Sequence, residues 1–556
     1  MKRLRIHVRP ALAGLVAAGL LFSAASVVRS APRRRPLAKL SEKARLEAQA
    51  KGAGTVDVIV RFRNAPAWRE VALLRGFGGL MRRHVRSRGH ETGWTTVRLP
   101  GRAVAALAND PDVEFVTVDA PVYNNALDSS RQAAGLPSPP LPETAFTGAG
   151  VTIAMLDSGV APHLELGSAV TRVDAVGGNP TIVASGNDED GHGTHIAGVL
   201  IGNGSRSDGR FRGVAPGAGL VSVKVLDGSG VGRTSDVIAG LQWVIAHKDA
   251  LGIRVLNLSL GHPVYEPAAT DPLVQALEEV WDAGIVVVCA AGNNGTAGHG
   301  GINSPCNSPK VITVGATNDR GTATTADDTV ASYSSRGPTL HDLVAKPDLL
   351  APGNRIVSAR SSGSRLDLLF PLRRISGLPL QFEHTEMSGT SMAAPFVAGT
   401  AALMLQQDPS LNPATVKARL MLSATKPAVG DPFATGAGVL NVTAALRTGG
   451  YVAVAPSPRV QALPTADGLS VENTAVLWSH ADFSLRALWS PTAVLWSDAT
   501  EPEPALLTST GVVLTAGTSG SSACLWPDAI LEAEATLWPD AFVAEEATLW
   551  PDEAAQ

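Results

Sequence analysis

Cysteine is nearly missing from this chain: Cys289, Cys306 and Cys524 are all it has in 556 residues. Three cysteines cannot form the disulfide framework on which small secreted scaffolds depend. Cys289 lies in an apolar run and reads as a buried reduced thiol; a bridge to Cys306 is the alternative. No His or Cys cluster has zinc spacing, which argues against a zinc hydrolase. Long apolar runs are also scarce. After Ala11–Val28 no other stretch could span a bilayer. Net charge is small too, at −4, but it hides an uneven spread. Residues 1–125 carry 22 Lys+Arg against 9 Asp+Glu, residues 126–447 carry 22 against 27, and residues 448–556 carry 2 against 14. The basic front is not a nucleic-acid surface, because part of it belongs to a targeting signal. Lys2, Arg3, Arg5 and Arg9 precede the apolar run, and Ser23, Ala24, Ala25 and Ser26 offer a cleavage point. Residues 1–30 therefore read as a secretory signal, which places the product outside the cell or on its surface; a membrane anchor is the alternative.

What the chain does have is three short motifs, far apart in sequence, which together supply acyl-transfer chemistry. They are Met155-Leu156-Asp157-Ser158-Gly159, Gly191-His192-Gly193-Thr194-His195 and Ser388-Gly389-Thr390-Ser391-Met392-Ala393-Ala394-Pro395. A serine hydroxyl needs an imidazole to take its proton and a carboxylate to orient that imidazole. Asp157 ends an apolar strand, so its carboxylate would lie at a sheet edge. Ser391 opens a small-residue helix whose N-terminus directs amides and partial positive charge at it.

The order Asp, His, Ser is that of subtilisin, and at these residues the chain resembles the subtilisin-like serine proteases (subtilases) from about Pro140 to Arg447. The resemblance implies Asp157, His192 and Ser391 as the catalytic triad, with His195 packed inside its helix. It implies Asn293, in Ala290-Ala291-Gly292-Asn293, as the oxyanion donor. Ser259-Leu260-Gly261 and Ala290-Ala291-Gly292 resemble the walls of the specificity pocket, and Gly228-Ser229-Gly230 resembles the outer subsite edge. An extended polypeptide substrate would pair with such edges as an added strand. Thr234 stands where many relatives carry tyrosine, which weakens the outer pocket, and broad cleavage with an apolar preference follows. The chemistry implies no cofactor. Structural calcium, frequent in the family, would fall in the loop Asn203 to Arg212, with Asn203 and Asp208 as ligands against the opposing charge of Arg206, Arg210 and Arg212.

Apolar runs at Val151–Leu156, Leu220–Leu226, Val255–Leu260, Ile285–Ala290 and Val311–Val314 alternate with helical patterns at Thr194–Ile201, Ser235–His247, Pro272–Asp282, Thr390–Gln406 and Pro413–Ser423. This predicts an α/β fold, a parallel doubly wound sheet with helices on both faces, over residues 130–447. Residues 31–125 resemble the inhibitor propeptide of the family, a small α+β unit that would block the cleft until cut between about Tyr123 and Gln132. Its expected elements are strands at Val56–Phe62, Trp94–Leu99 and Val113–Val118 and helices around Trp68–Leu80 and Ala103–Asn109, after a flexible stretch over 32–52. Residues 448–556 form an acidic tail, largely low-complexity, in which Leu-Trp-Pro-Asp recurs at Leu525, Leu537 and Leu549 and six of the ten tryptophans fall. The tail reads as a spacer or attachment segment, or as a binder of a cell surface or polysaccharide. Taken together, the sequence predicts a secreted serine endopeptidase made as an autoinhibited precursor. Alternatives are a peptide ligase or cyclase with the same triad, and a surface-binding protein.

Overall fold

The computed structural model describes residues 39–124 and 146–459, apart from 65, 67, 86–92, 168–169, 321–326, 379–380 and 426–430. Beyond these it describes the backbone of four short paired strands at 460–462, 468–472, 507–508 and 511–515. The signal at 1–30, the segment 125–145 and the Trp motifs lie outside the described residues.

The N-terminal unit starts with a helix where the charge-rich sequence predicts flexibility. Helix α1 (Glu42–Lys51) is capped by Ser41, whose side chain accepts from the Ala44 amide. It buries only Ala44 and Ala48, so it shows no apolar stripe of the kind that reveals a helix. Next come β1 (Thr55–Phe62), α2 (Trp68–Gly76), β2 (Leu80–Val85), β3 (Trp94–Pro100), α3 (Gly101–Ala108) and β4 (Val113–Val118). The strands form an antiparallel sheet in the order β2-β3-β1-β4. The predicted helix around Trp68–Leu80 ends at Gly76, and Leu80–Val85 pairs with β3 instead. A last strand, β5 (Pro121–Asn124), leaves this unit.

The larger unit contains β6 (Thr152–Asp157), β7 (Val170–Asp174), β8 (Thr181–Ile182), α4 (His192–Ile201), β9 (Gly219–Lys224), β10 (Val231–Arg233), α5 (Thr234–Leu251), β11 (Ile253–Leu258), β12 (Leu260–Gly261), α6 (Pro272–Asp282) and β13 (Val286–Ala290). Then follow β14 (Ile312–Asn318), β15 (Thr329–Val330), β16 (Leu349–Pro352), β17 (Ile356–Ala359), α7 (Arg365–Leu369), β18 (Arg374–Ile375), β19 (His384–Met387), α8 (Thr390–Gln407) and α9 (Pro413–Ser423). The principal sheet runs β15-β14-β13-β11-β6-β9-β7-β8, with β16 also on β14. Its ladders are parallel except at the short edge strands β15 and β8, so the sheet is mixed at its margins.

Both faces are covered, and the strand sequences show why. Ile153 and Met155 enter the apolar cluster that holds α4 and α8, while Ala154 and Leu156 enter the one that holds α5 and α6. The period of two thus gives an apolar residue at every position. Helix α8 lies against β11, β13, β14 and β16. Its small residues make that approach possible: a Cβ on Gly399 would lie 2.6 Å from Cβ of Val214. Residues 450–459 pack on a separate, smaller apolar cluster with Ala414, Ala418 and Met421 of α9, where Val452 is fully buried and Ser457 bonds to Asp348 and Lys417.

One expectation is overturned. Cys289 is not a reduced thiol but is bridged to Cys306, with Cα atoms 5.6 Å apart. The strand phase explains it. Cys289 falls on the α5/α6 face of β13, and Cys306 belongs to the same cluster. A crosslink closing a loop of this size contributes about 3 kcal/mol.

Candidate active site

Asp157 is the last residue of β6 and is completely buried. Its Oδ1 accepts from the Ser158 amide and stands 2.7 Å from Nδ1 of His192. His192 opens α4 and is also fully buried. Burial alone would push its pKa down, but the Asp157 carboxylate, followed by Asp190 and Asp188, outweighs burial, and the net shift is upward. The turn into α4 needs a glycine. Gly191 has φ +101°, and a Cβ there would lie 2.4 Å from Oγ of Ser364. Asp188, which sequence reasoning missed, caps this turn. It accepts from the Gly191 and Thr194 amides and from the hydroxyls of Thr194 and Ser158. His195 packs inside the helix as expected: its Nε2 lies 3.0 Å from the Ile356 carbonyl, and burial drives its pKa to about 3.

Ser391 lies in the first turn of α8, which packs against α4. Its hydroxyl donates to the Ser259 carbonyl at 3.0 Å, and the Ser259 hydroxyl donates back to the Ser391 carbonyl at 3.0 Å. The His192 Nε2 is buried and makes no hydrogen bond. No hydrogen bond therefore joins the Ser391 hydroxyl to the His192 imidazole. Asn293 follows β13. Its Oδ1 accepts from the amide and the hydroxyl of Thr390 at 3.0 and 3.1 Å, which fixes the amide plane next to Ser391.

The predicted pocket walls differ in what they do. Leu260 and Gly261 form β12 and pair with β5, with Leu260 opposite Asn124 and Gly261 opposite Tyr123. Ser259 instead holds Ser391. Ala290 ends β13, the Ala291 amide bonds Val314, and the Gly292 amide bonds the Thr390 hydroxyl, so this wall is braced from behind. Gly228-Ser229-Gly230 leads into the strand that pairs with β5. Asp227 collects the Ser229 and Val231 amides and folds those residues into a turn. The strand paired with β5 on this side is β10, with Val231, Gly232 and Arg233 opposite Tyr123, Val122 and Pro121. A motif match could not find it, because the pairing belongs to backbone and not to residue type. Thr234 closes this edge by donating its amide and hydroxyl to the Ala120 carbonyl.

Strand β5 of the N-terminal unit thus lies between β10 and β12 as the centre of a three-stranded antiparallel sheet. Val122 is fully buried in the cluster that contains Leu226, Ile238 and Leu260. Around the strand, Arg233 meets Asp57 at 3.2 Å, Arg83 meets Asp236 at 3.3 Å, and Asp119 accepts the amide and hydroxyl of Ser235. Further along, Glu266 takes the Thr117 hydroxyl on both carboxylate oxygens at 2.7 and 2.9 Å.

The loop suggested for calcium does not fit a cation. Asn203 Oδ1 receives the Ser205 amide, Asp208 is exposed, and Arg210 turns its guanidinium to the Ser207 and Gly377 carbonyls. Glu165 nearby is taken by the Arg206 amide and His384. Among the described residues no group of three or more His, Cys, Asp or Glu side chains is placed to hold a metal ion.

Residues 148–440 match the sequence profile described as the subtilase family. The chain is 45% identical over 302 residues to serine protease AprX of Bacillus subtilis strain 168, covering 53% of this chain and 66% of that protein. It is 33% identical over 352 residues to subtilisin E of the same organism, covering 62% of this chain and 79% of that protein. Among solved structures it resembles fervidolysin of Fervidobacterium pennivorans, described as a keratinolytic enzyme related to subtilisin. The TM-score is 0.54 at 21% identity, covering 75% of this chain and 62% of that one.

Proposed function

The chain belongs to the subtilase family and is a subtilisin-like serine endopeptidase, and from that premise we propose that it is secreted as a precursor held inactive by its own residues 31–125. The carrying observation is the position of β5 between the two substrate-pairing edges, in the place an extended polypeptide would take.

In this reading Ser391 is the nucleophile. Its Oγ attacks the peptide carbonyl carbon and passes its proton to Nε2 of His192, while Asp157 holds Nδ1–H and stabilises the imidazolium. The charge on the carbonyl oxygen is received by the Asn293 amide and the N-terminal end of α8. The protonated His192 then gives its proton to the leaving amine, and an ester to Ser391 remains. Water, deprotonated by His192, cleaves that ester and restores the hydroxyl. No cofactor enters these steps. The turn of Ser391 toward the Ser259 carbonyl fits a zymogen whose relay is assembled only when a substrate displaces β5. The buried Cys289–Cys306 bridge fits an oxidising compartment and so supports secretion.

A fluorophosphonate probe applied to the secreted protein tests the assignment. It is expected to label Ser391 alone, and labelling of another serine would overturn it.

The docked unit also gives a pH dependence. Burial, and after it the charge of Asp271, pushes the Glu266 carboxyl up to about 8. Burial raises Asp119 as well. Away from the N-terminal unit, Glu266 returns toward the ordinary carboxylate range near 4.3. Association is then tightest below that value and weakens as pH rises from it through about 8, by up to about tenfold per unit. Inhibition of the mature enzyme by residues 31–125 added in trans is expected to be tighter at pH 5.5 than at pH 8.5. Glu266→Gln, which keeps an acceptor for Thr117, should flatten much of that slope. An unchanged slope in the variant would remove Glu266 from the release step.

A further inference from the structure

The hairpin from β17 to β19 does two jobs at once. Its last strand leads directly into Ser388-Gly389-Thr390-Ser391, and its middle rests on the residues before His192. The Ser361 hydroxyl donates to the Asp188 carbonyl, and the amides of Arg365 and Leu366 donate to the carbonyls of Glu189 and Asp190. The Arg365 guanidinium adds an ion pair with the buried Asp190 carboxylate. Helix α7 is therefore fixed to the rim of the catalytic site.

It is also stiff. Ser364 caps it, and Arg360 and Arg374 both close on Asp367 at 2.8 and 2.7 Å. Yet this braced segment carries large apolar side chains in solvent: Leu368 is 66% exposed, Leu369 57% and Leu372 98%. Single exposed leucines are ordinary, but a rigid group of them on one short segment marks a contact surface.

The path of a bound polypeptide says what covers it. Strand β5 enters over the face of the sheet that carries α5 and α6, where Val122 is buried. It ends at Asn124 opposite Leu260, next to the Ser259 carbonyl that holds the Ser391 hydroxyl. A substrate running in that direction passes Ser391 and emerges on the other face, over the N-terminal ends of α4 and α8. The hairpin belongs to that face, since Ile356 and Met387 sit in the same cluster as α4 and α8. Helix α7, which carries Leu368 and Leu369, also starts against the residue before His192: a Cβ on Gly191 would lie 3.6 Å from that of Leu366.

We propose that Leu368, Leu369 and Leu372 form a recognition surface for apolar residues on the leaving-group side of the scissile bond. This rests on the proteolytic reading of the site. It assigns the patch to one occupant, the downstream segment of an extended polypeptide substrate.

The test compares three substrates sharing one acyl half: an anilide with nothing downstream, a peptide with Leu and Phe downstream, and one with Ser and Gly downstream. In the wild-type mature enzyme kcat/KM is expected to favour the apolar peptide over the polar one by about tenfold, the scale set by burying one leucine side chain. The variant with Leu368→Ser, Leu369→Ser and Leu372→Ser should lose that preference and keep its anilide rate. If the triple variant loses the anilide rate, Leu372→Ser alone serves, because its side chain is almost wholly in solvent. A preference that survives substitution, or is missing from the wild type, overturns the proposal. So does a leucine-dependent dimer in sedimentation with peptide preferences unchanged, which would give the patch to a second copy of the chain. An anilide left uncut by the wild-type enzyme would instead refute the catalytic reading.

Discussion

Ser391→Ala is expected to abolish casein hydrolysis and to leave the chain at full length. The variant removes only one oxygen. In the proposed mechanism that oxygen is the attacking atom, and the neighbouring hydroxyl at the start of α8, that of Thr390, is already bound to Oδ1 of Asn293. Loss of a triad serine lowers kcat by about 10^6, a magnitude that comes from subtilisin itself. Folding should be little affected. Ser391 Oγ makes one bond, to the Ser259 carbonyl, and that carbonyl keeps its place in the backbone while Ser259 still reaches the Ser391 carbonyl. The processing arm carries separate information. In the wild type the first cut should fall close after Asn124, because Asn124 faces Leu260 and the next wall residue, Ser259, touches the nucleophile. Mass spectrometry of both proteins reads the two arms together. A processed Ser391→Ala chain without casein activity would refute self-maturation and leave proteolysis standing. Casein activity equal to wild type would end the triad assignment.

The chemistry of this site was legible because it is carried by short contiguous motifs, and the sheet because its strands are buried on both faces and so read as unbroken apolar runs. Pro272–Asp282 and Pro413–Ser423 fall where their patterns put them, each with proline at its first turn and an Asp or Asn cap before it. What could not be read depends on partners distant in sequence. The edge strand β10 is defined by β5, more than a hundred residues earlier, and its sequence Val-Gly-Arg has no strand signature. The Cys289–Cys306 bridge depends on the phase of β13 against a loop. Asp188 is one acid among several until the fold turns four donors onto it. The hairpin before Ser391 mixes charge with leucine and matches neither period. Its exposed side chains become informative only once Arg360, Arg374 and Asp367 are seen to hold them still.

Asn293→Ala is expected to lower kcat by 10^2 to 10^3, about 2.7–4 kcal/mol, with little change in KM; that range too was established on subtilisin. The argument is one of fixed orientation. An amide side chain can present either end, and only the NH2 end stabilises an oxyanion. Here the Oδ1 end is claimed twice by Thr390, through its amide and its hydroxyl. Thr390 is itself tied to the residue before Asn293, since its hydroxyl accepts from the Gly292 amide. The donor is therefore set before substrate arrives, and little reorganisation is needed as charge develops. Such a group acts on the transition state more than on the bound ground state, so the loss should appear in kcat. Thr390→Val, which removes one of the two bonds to Oδ1 and leaves the amide, should cost less than Asn293→Ala in the same assay. A rise in KM at constant kcat would mean that Asn293 binds substrate instead, and a loss equal in the two variants would mean that the wall as a whole had moved.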